Sequence, residues 1–85
     1  MPTAATVTLL TRPGCHLCDA AREVVSGVVA ENAFAHLVEV SIDDDPELAD
    51  RYAEEIPVVL IDGAVHNIWR VDPDRFRTAL QEATQ

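Results

Sequence analysis

The sequence predicts an α/β domain: a four-stranded mixed sheet flanked by three helices, in the order β-α-β-α-β-β-α. Three observations carry this prediction. Short β-branched or alternating runs stand apart from stretches with apolar residues at helical spacing. Two Asp-Pro pairs, Asp45-Pro46 and Asp72-Pro73, have the form of an N-cap followed by proline at the first helical position. Asp62-Gly63 separates two apolar runs and marks a tight hairpin, so the last two strands run antiparallel.

Residues 1–5 read as loose. Thr6 to Thr11 is rich in β-branched residues and reads as the first strand, broken by Arg12-Pro13-Gly14. The first helix runs from about Cys15 to about Ala30, with Leu17, Ala21, Val24 and Val28 on its apolar face and Ala20 beside them. Gly27 weakens that helix by about 1 kcal/mol relative to alanine, and close packing against the sheet is the expected reason for it. His36 to Ile42 is the second strand: Val38, Val40 and Ile42 alternate with Glu39 and Ser41. A short second helix follows Asp45 and runs to about Tyr52. Val58 to Ile61 is continuously apolar, as in a strand covered on both faces. Ala64 to Ile68 or Trp69 is its hairpin partner. Phe76, Ala79, Leu80 and Ala83 give the last helix an apolar stripe. The first two strands are joined by a helix and are therefore expected to be parallel, with a right-handed crossover.

Eighty-five residues make one domain, 1–85, with a small core, since a chain of this size buries only about 60–65% of its extended surface. Apolar residues make up 48% of it, enough to exclude disorder. Net charge is −9, with six Arg and no Lys. Clustered positive charge is missing, so neither nucleic acid nor an anionic membrane surface is an expected partner. No apolar run approaches the ~18 residues of a membrane span, and the N-terminal stretch lacks a basic region of the targeting type. The expected location is cytoplasmic, and the expected state is a monomer.

Cys15 and Cys18, the two cysteines of the chain, lie in a CHLC tetrapeptide where the first strand gives way to the first helix. Two intervening residues bring the sulfurs within bonding reach when the second lies one turn into a helix. The helix start favours negative charge on the first sulfur, through its free N–H groups and aligned dipoles. A bridge closing so small a loop constrains the unfolded chain little, so the pair reads as redox or metal chemistry and not as a structural staple.

The element order matches the thioredoxin fold, and the chain resembles the glutaredoxin-like branch of the thioredoxin superfamily. LLTRPGCHLC at the first strand and helix, IPVVLIDG at the third strand and its turn, and the closing helix after Asp72 carry the resemblance, which spans nearly the whole chain. Ile-Pro opens a strand about forty residues after the cysteines, which makes the pattern far more specific than CxxC alone. The resemblance implies a cis peptide bond before Pro57, with Pro57 against the sulfurs. Ile56 then offers its N–H and carbonyl to an extended substrate chain. Arg12 stands where glutaredoxins usually carry a lysine, and Asp72 keeps the acidic cap of the last helix. Three stretches depart from the family pattern. His16-Leu17 replaces Pro-Tyr, Glu55-Ile56-Pro57 replaces Thr-Val-Pro, and His66 to Arg70 replaces Gly-Gly.

The expected activity is thiol–disulfide exchange. Cys15 is the nucleophile: a free thiol titrates near ~8.5, and helix starts and cationic neighbours bring such thiols to about 3.5–7.5. Arg12 and protonated His16 are the cationic candidates, His16 with a solvent-facing reading of equal weight. Cys18 resolves the mixed disulfide, with Asp19 beside it holding its proton. Arg12, His16, Ile56, Pro57 and Asp72 are the candidate substrate-binding residues. No tightly bound cofactor or metal is required. The substrate is a disulfide-containing protein or a mixed disulfide; the electron donor is glutathione, another low-molecular-weight thiol, or a reductase protein. Two rival readings are a non-catalytic adaptor on the same fold and zinc binding. The zinc reading has only two ligands in the motif, plus His36 and His66 without paired spacing. Asp43-Asp44-Asp45 reads as a solvated loop ending in a helix cap, not as a calcium loop. Trp69 and Tyr52 are candidates for a peptide groove or for packing, and Arg70 for a substrate carboxylate or a surface ion pair.

Overall fold

The computed structural model describes residues 3–85, so the first two residues of the stretch expected to be loose lie outside it. Strand β1 (Ala5–Thr11) is followed by helix α1 (His16–Ala30), β2 (Ala35–Ser41), α2 (Pro46–Tyr52), β3 (Val58–Ile61), β4 (Ala64–Ile68) and α3 (Pro73–Ala83). The sheet order is β2-β1-β3-β4. β2 runs parallel to β1, from Ala5 opposite Ala35 to Thr11 opposite Ser41. β3 runs antiparallel to β1, and β4 antiparallel to β3. The sheet is therefore mixed and four-stranded, as expected.

Burial explains the central position of β1 and β3. Val7 and Leu9 point to one face and Leu10 to the other; none is more than 2% exposed. Val58 and Val59 are likewise buried on opposite faces, which accounts for the unbroken apolar run. On one face, Val7, Leu9 and Val59 pack with Ala21, Val25 and Val28 of α1 and with Phe76 and Leu80 of α3. On the other, Leu10 and Val58 pack with Ile42 and Tyr52, with Leu48 of α2 against them. Tyr52 is thus a core residue, and Arg51 lies over its ring. Burying a side chain such as Phe76 contributes about 1.5–3 kcal/mol, so α3 is held mainly by that ring and Leu80.

Local chemistry sets the ends of the helices. Asp45 accepts the Glu47 N–H and starts α2; Asp72 accepts the N–H groups of Asp74 and Arg75 and starts α3. Asp62 and Gly63 both have positive φ, the twisted geometry of a tight hairpin turn. On the surface Arg22 ties α1 to Glu39 of β2, and Arg77 ties α3 to Glu31 at the end of α1. Exposed pairs of this kind contribute about 0–1 kcal/mol each.

Four expectations are corrected. Ala5 is not loose: its N–H bonds the Phe34 carbonyl and it opens β1, 1% exposed. Thr3 also bonds the Thr84 carbonyl, tying the N-terminal stretch to the end of α3. β2 ends one residue early, because the Ser41 hydroxyl accepts the Asp43 N–H and turns Ile42–Asp44 into a short 3₁₀ turn. The inward face of α1 is Cys18, Ala21, Val25 and Val28; Leu17 and Ala20 are exposed and Val24 half-buried. Paired valines at 24–25 and 28–29 fit either face, and contact with the sheet and α3 selects one of them. Gly27 packs against nothing: a β-carbon there meets open space.

Candidate active site

The topology gathers three loops at one end of the sheet. The β1–β3 ladder ends with Leu10 opposite Val58, so the next residues, Thr11 and Pro57, are neighbours. The β3–β4 ladder has Val58 opposite Ile68, and the Trp69 N–H goes on to bond the Pro57 carbonyl at 2.9 Å. Residues 12–15, 56–57 and 69–72 therefore converge where α1 and α3 both begin.

Cys15 is the N-cap of α1. Gly14, at φ +78°, makes the reversal that a side chain would resist. Cys15 itself is extended, and its Sγ accepts the Cys18 N–H at 3.1 Å. The two cysteines are joined as a disulfide, with Cα atoms 5.2 Å apart, inside the usual range. Cys18 is completely buried and Cys15 only half-buried. One sulfur therefore faces outward at a helix start, with a second shielded behind it. The Ile56–Pro57 peptide is cis, as the resemblance implies. Pro57 is fully buried, and Ile56 half-buried with neither its N–H nor its carbonyl engaged among the described residues.

The other candidates have visible partners of their own. Arg12 donates from Nε to Asp43 at 2.9 Å, so much of its charge is matched there. His16 is the first residue of α1 and faces solvent. The Asp72 carboxylate is occupied as the cap of α3, 2.9 Å from the Asp74 N–H. Asp19, expected to act on Cys18, is instead held by Arg22 at 2.8 Å with its side chain mostly in solvent. Arg22 also bonds Glu39, which accepts from the buried Thr11 just before the site. Those bonds hold the Glu39 carboxyl below its usual range, Arg22 first, with burial opposing. Arg70 is exposed and makes no ion pair among the described residues, unlike Arg12, Arg22 and Arg77.

A groove of about 360 Å³ runs along α1 and includes Trp69, a peptide-groove candidate in the sequence, and Arg70, a candidate for a substrate carboxylate. Leu17, Ala20 and Val24 form one wall and Trp69, Arg70 and Val71 the other. In the sequence Leu17 has the spacing of a core residue, so no local signal marks it as a surface one. The remaining histidines are elsewhere. His66 sits at a bulge in β4, its ring 5.8 Å from Phe76; burial, then Arg75, pushes its imidazole below the ordinary range. Among the described residues no group of three or more His, Cys, Asp or Glu side chains comes together to hold a metal ion. No helix among them is long and apolar enough to cross a membrane.

Fold and site together define a thioredoxin-fold domain with a CxxC pair at the start of its first helix. The chain belongs to the glutaredoxin-like family: the glutaredoxin-like domain (DUF836) family matches residues 6–81. An uncharacterized protein of Mycobacterium tuberculosis is 32% identical over 83 residues, 92% of this chain and 84% of that protein. A glutaredoxin-like protein of Dictyostelium discoideum is 32% identical over 76 residues, 82% of this chain and 69% of that protein. Among solved structures, a protein from X. campestris matches with a TM-score of 0.74 at 32% identity, covering 91% of this chain and 97% of its own. A mutant thioredoxin from Halobacterium salinarum matches with a TM-score of 0.73 at 19% identity, covering 98% of this chain and 77% of its own; that likeness is one of fold.

Proposed function

We propose that this chain is a cytoplasmic, monomeric thiol–disulfide oxidoreductase that reduces protein or mixed disulfides through the Cys15–Cys18 pair. One observation carries the reading: a half-buried cysteine caps α1 and accepts a backbone N–H on its sulfur, while its partner is fully buried. In the reduced protein the same N–H and the helix dipole favour the thiolate on Cys15. That thiolate attacks one sulfur of a substrate disulfide, forms a mixed disulfide, and releases the other sulfur as a thiolate. Cys18 then gives up its proton to solvent and attacks the Cys15 sulfur. The Cys15–Cys18 bond forms, and the second substrate sulfur leaves as a thiolate. The substrate has gained two electrons, and its thiolates take protons from water.

Two equivalents of a low-molecular-weight thiol such as glutathione, or one dithiol reductase, reopen the bridge and are themselves oxidised. Ile56 pairs with the substrate chain through its backbone, with Pro57 fixing its direction. Arg12 and His16 stand at the rim, Arg12 with much of its charge matched by Asp43, and Asp72 holds the start of α3 in place. No tightly bound cofactor enters the cycle.

The test is reduction of a disulfide-linked peptide by the pre-reduced protein, then turnover with glutathione, other thiols and a dithiol reductase as donors. Cys15→Ser is expected to abolish reduction, and Cys18→Ser to stop at a mixed disulfide visible by mass spectrometry. Wild-type rates no higher than the thiol-only background, and equal to those of Cys15→Ser, would remove the dithiol from the mechanism and favour a non-catalytic adaptor.

A further inference from the structure

The groove beside the cysteines has features that neither packing nor the exchange chemistry requires. Leu17 is 42% and Trp69 53% exposed, large apolar side chains left in water on a small domain. Trp69 holds a left-handed backbone, φ +65°, which is costly for a bulky residue and which glycine would adopt freely. Two hydrogen bonds keep it there: its backbone N–H to Pro57 and its indole Nε1–H to the Glu54 carbonyl at 3.0 Å. The ring is thus a fixed wall, anchored to the loop that carries Ile56 and Pro57. Exposed, rigid aromatic surface next to a reactive centre marks an interaction site.

The charges around the ring are asymmetric. Asp50, Glu54 and Glu55 share one flank of Trp69 with Arg51. On the other flank Arg70 lies at the groove beside Leu17 and makes no ion pair among the described residues; Asp72, which lines an adjoining pocket with it, is occupied as the cap of α3. A carboxylate entering from the acidic flank is repelled, and one lying on the α1 side of the ring meets Arg70.

Resting on the dithiol reading, we infer that the groove between Leu17–Val24 and Trp69–Val71 selects polypeptide substrates. The selected segment carries a bulky apolar side chain beside its reacting cysteine and an acidic residue close by. The apolar side chain lies between Leu17 and the Trp69 ring, and the carboxylate pairs with the Arg70 guanidinium. Glutathione offers carboxylates but no apolar side chain to lie between Leu17 and Trp69. Trp and Arg are the residue types that most often dominate such contacts.

The experiment separates this inference from the exchange chemistry by using peptides without cysteine. Isotope-labelled protein in its disulfide form is titrated with a short peptide bearing Leu and Glu, and with the same peptide bearing Ser and Gln, while NMR shifts are followed. The Leu/Glu peptide is expected to move the Leu17, Ala20 and Arg70 amides and the Trp69 indole signal, binding about tenfold or more tightly than the Ser/Gln peptide. Arg70→Gln is expected to weaken it about three- to tenfold, and Trp69→Gly, which relieves the backbone, about tenfold or more. Equal binding of the two peptides, no binding of either, or shifts confined to other surfaces would overturn the inference. A protein that reduces disulfides yet binds both peptides alike loses only the groove. One that binds the Leu/Glu peptide selectively but reduces nothing loses only the dithiol mechanism.

Discussion

Replacing Gly27 with alanine should stabilise this protein. Gly27 lies inside α1 with ordinary helical geometry, faces solvent, and has no neighbour within 4 Å of where a β-carbon would stand. No overpacking opposes the change, so what remains is the backbone freedom that glycine adds to the unfolded chain, about 0.4–1 kcal/mol. At about 2.1 cal/mol/K per residue, an 85-residue domain has an unfolding entropy near 0.18 kcal/mol/K, so the melting temperature should rise by about 2–6 °C. Gly63→Ala supplies the opposite sign from equally open space. Its φ of +85° is the left-handed hairpin conformation, and a side chain there costs about 1–2 kcal/mol. The assay is thermal and urea unfolding of wild type and both variants, all in the disulfide form. A lower or unchanged melting temperature for Gly27→Ala would refute the reasoning, because a hidden packing role would then have to exist.

Three further outcomes are expected. Leu80→Ala should cost about 2–5 kcal/mol, because Leu80 is 1% exposed, whereas Leu17→Ala should stay within about 0.5 kcal/mol; equal losses by urea unfolding would contradict the inward face assigned to α1. Asp72→Ala should cost about 0.5–2 kcal/mol in the same assay, while Asp72→Asn retains most of the cap; an equal loss in both would mean that charge, not the hydrogen bonds, starts α3. Glu31 and Glu39 are held below their ordinary value of 4.5 by Arg77 and Arg22, so the unfolded chain binds more protons there. Their contribution is complete above that value and is lost as pH falls through the lower folded values. His66, lowered from 6.5, has the same sign and begins to lose stability at higher pH. Urea unfolding against pH should show this acid limb flattened in Arg22→Gln/Arg77→Gln and its upper part removed in His66→Gln; an unchanged limb in both variants would refute the assignment.

Most of the fold was legible because its signals are local. The Asp-Pro pairs started α2 and α3 where the capping oxygens do their work, and Asp62-Gly63 made the hairpin. The unbroken Val58–Ile61 run marked a strand covered on both sides. The faces of α1 were not legible: with valines at 24, 25, 28 and 29 the helical period fits more than one direction. Contact with β1, β3 and α3 turned Val25 inward and left Leu17 in solvent. β2 was displaced by one residue because a single hydroxyl, that of Ser41, competes for the chain at its end.

The same division runs through the site. Spacing alone put two sulfurs one helical turn apart at a strand-to-helix junction, because helix geometry is a property of neighbouring residues. Only the folded sheet decided that Arg12 answers to Asp43 and that Trp69 and Leu17 line one groove. Those relations join residues dozens of positions apart, through strand register and packing that no short stretch of sequence contains.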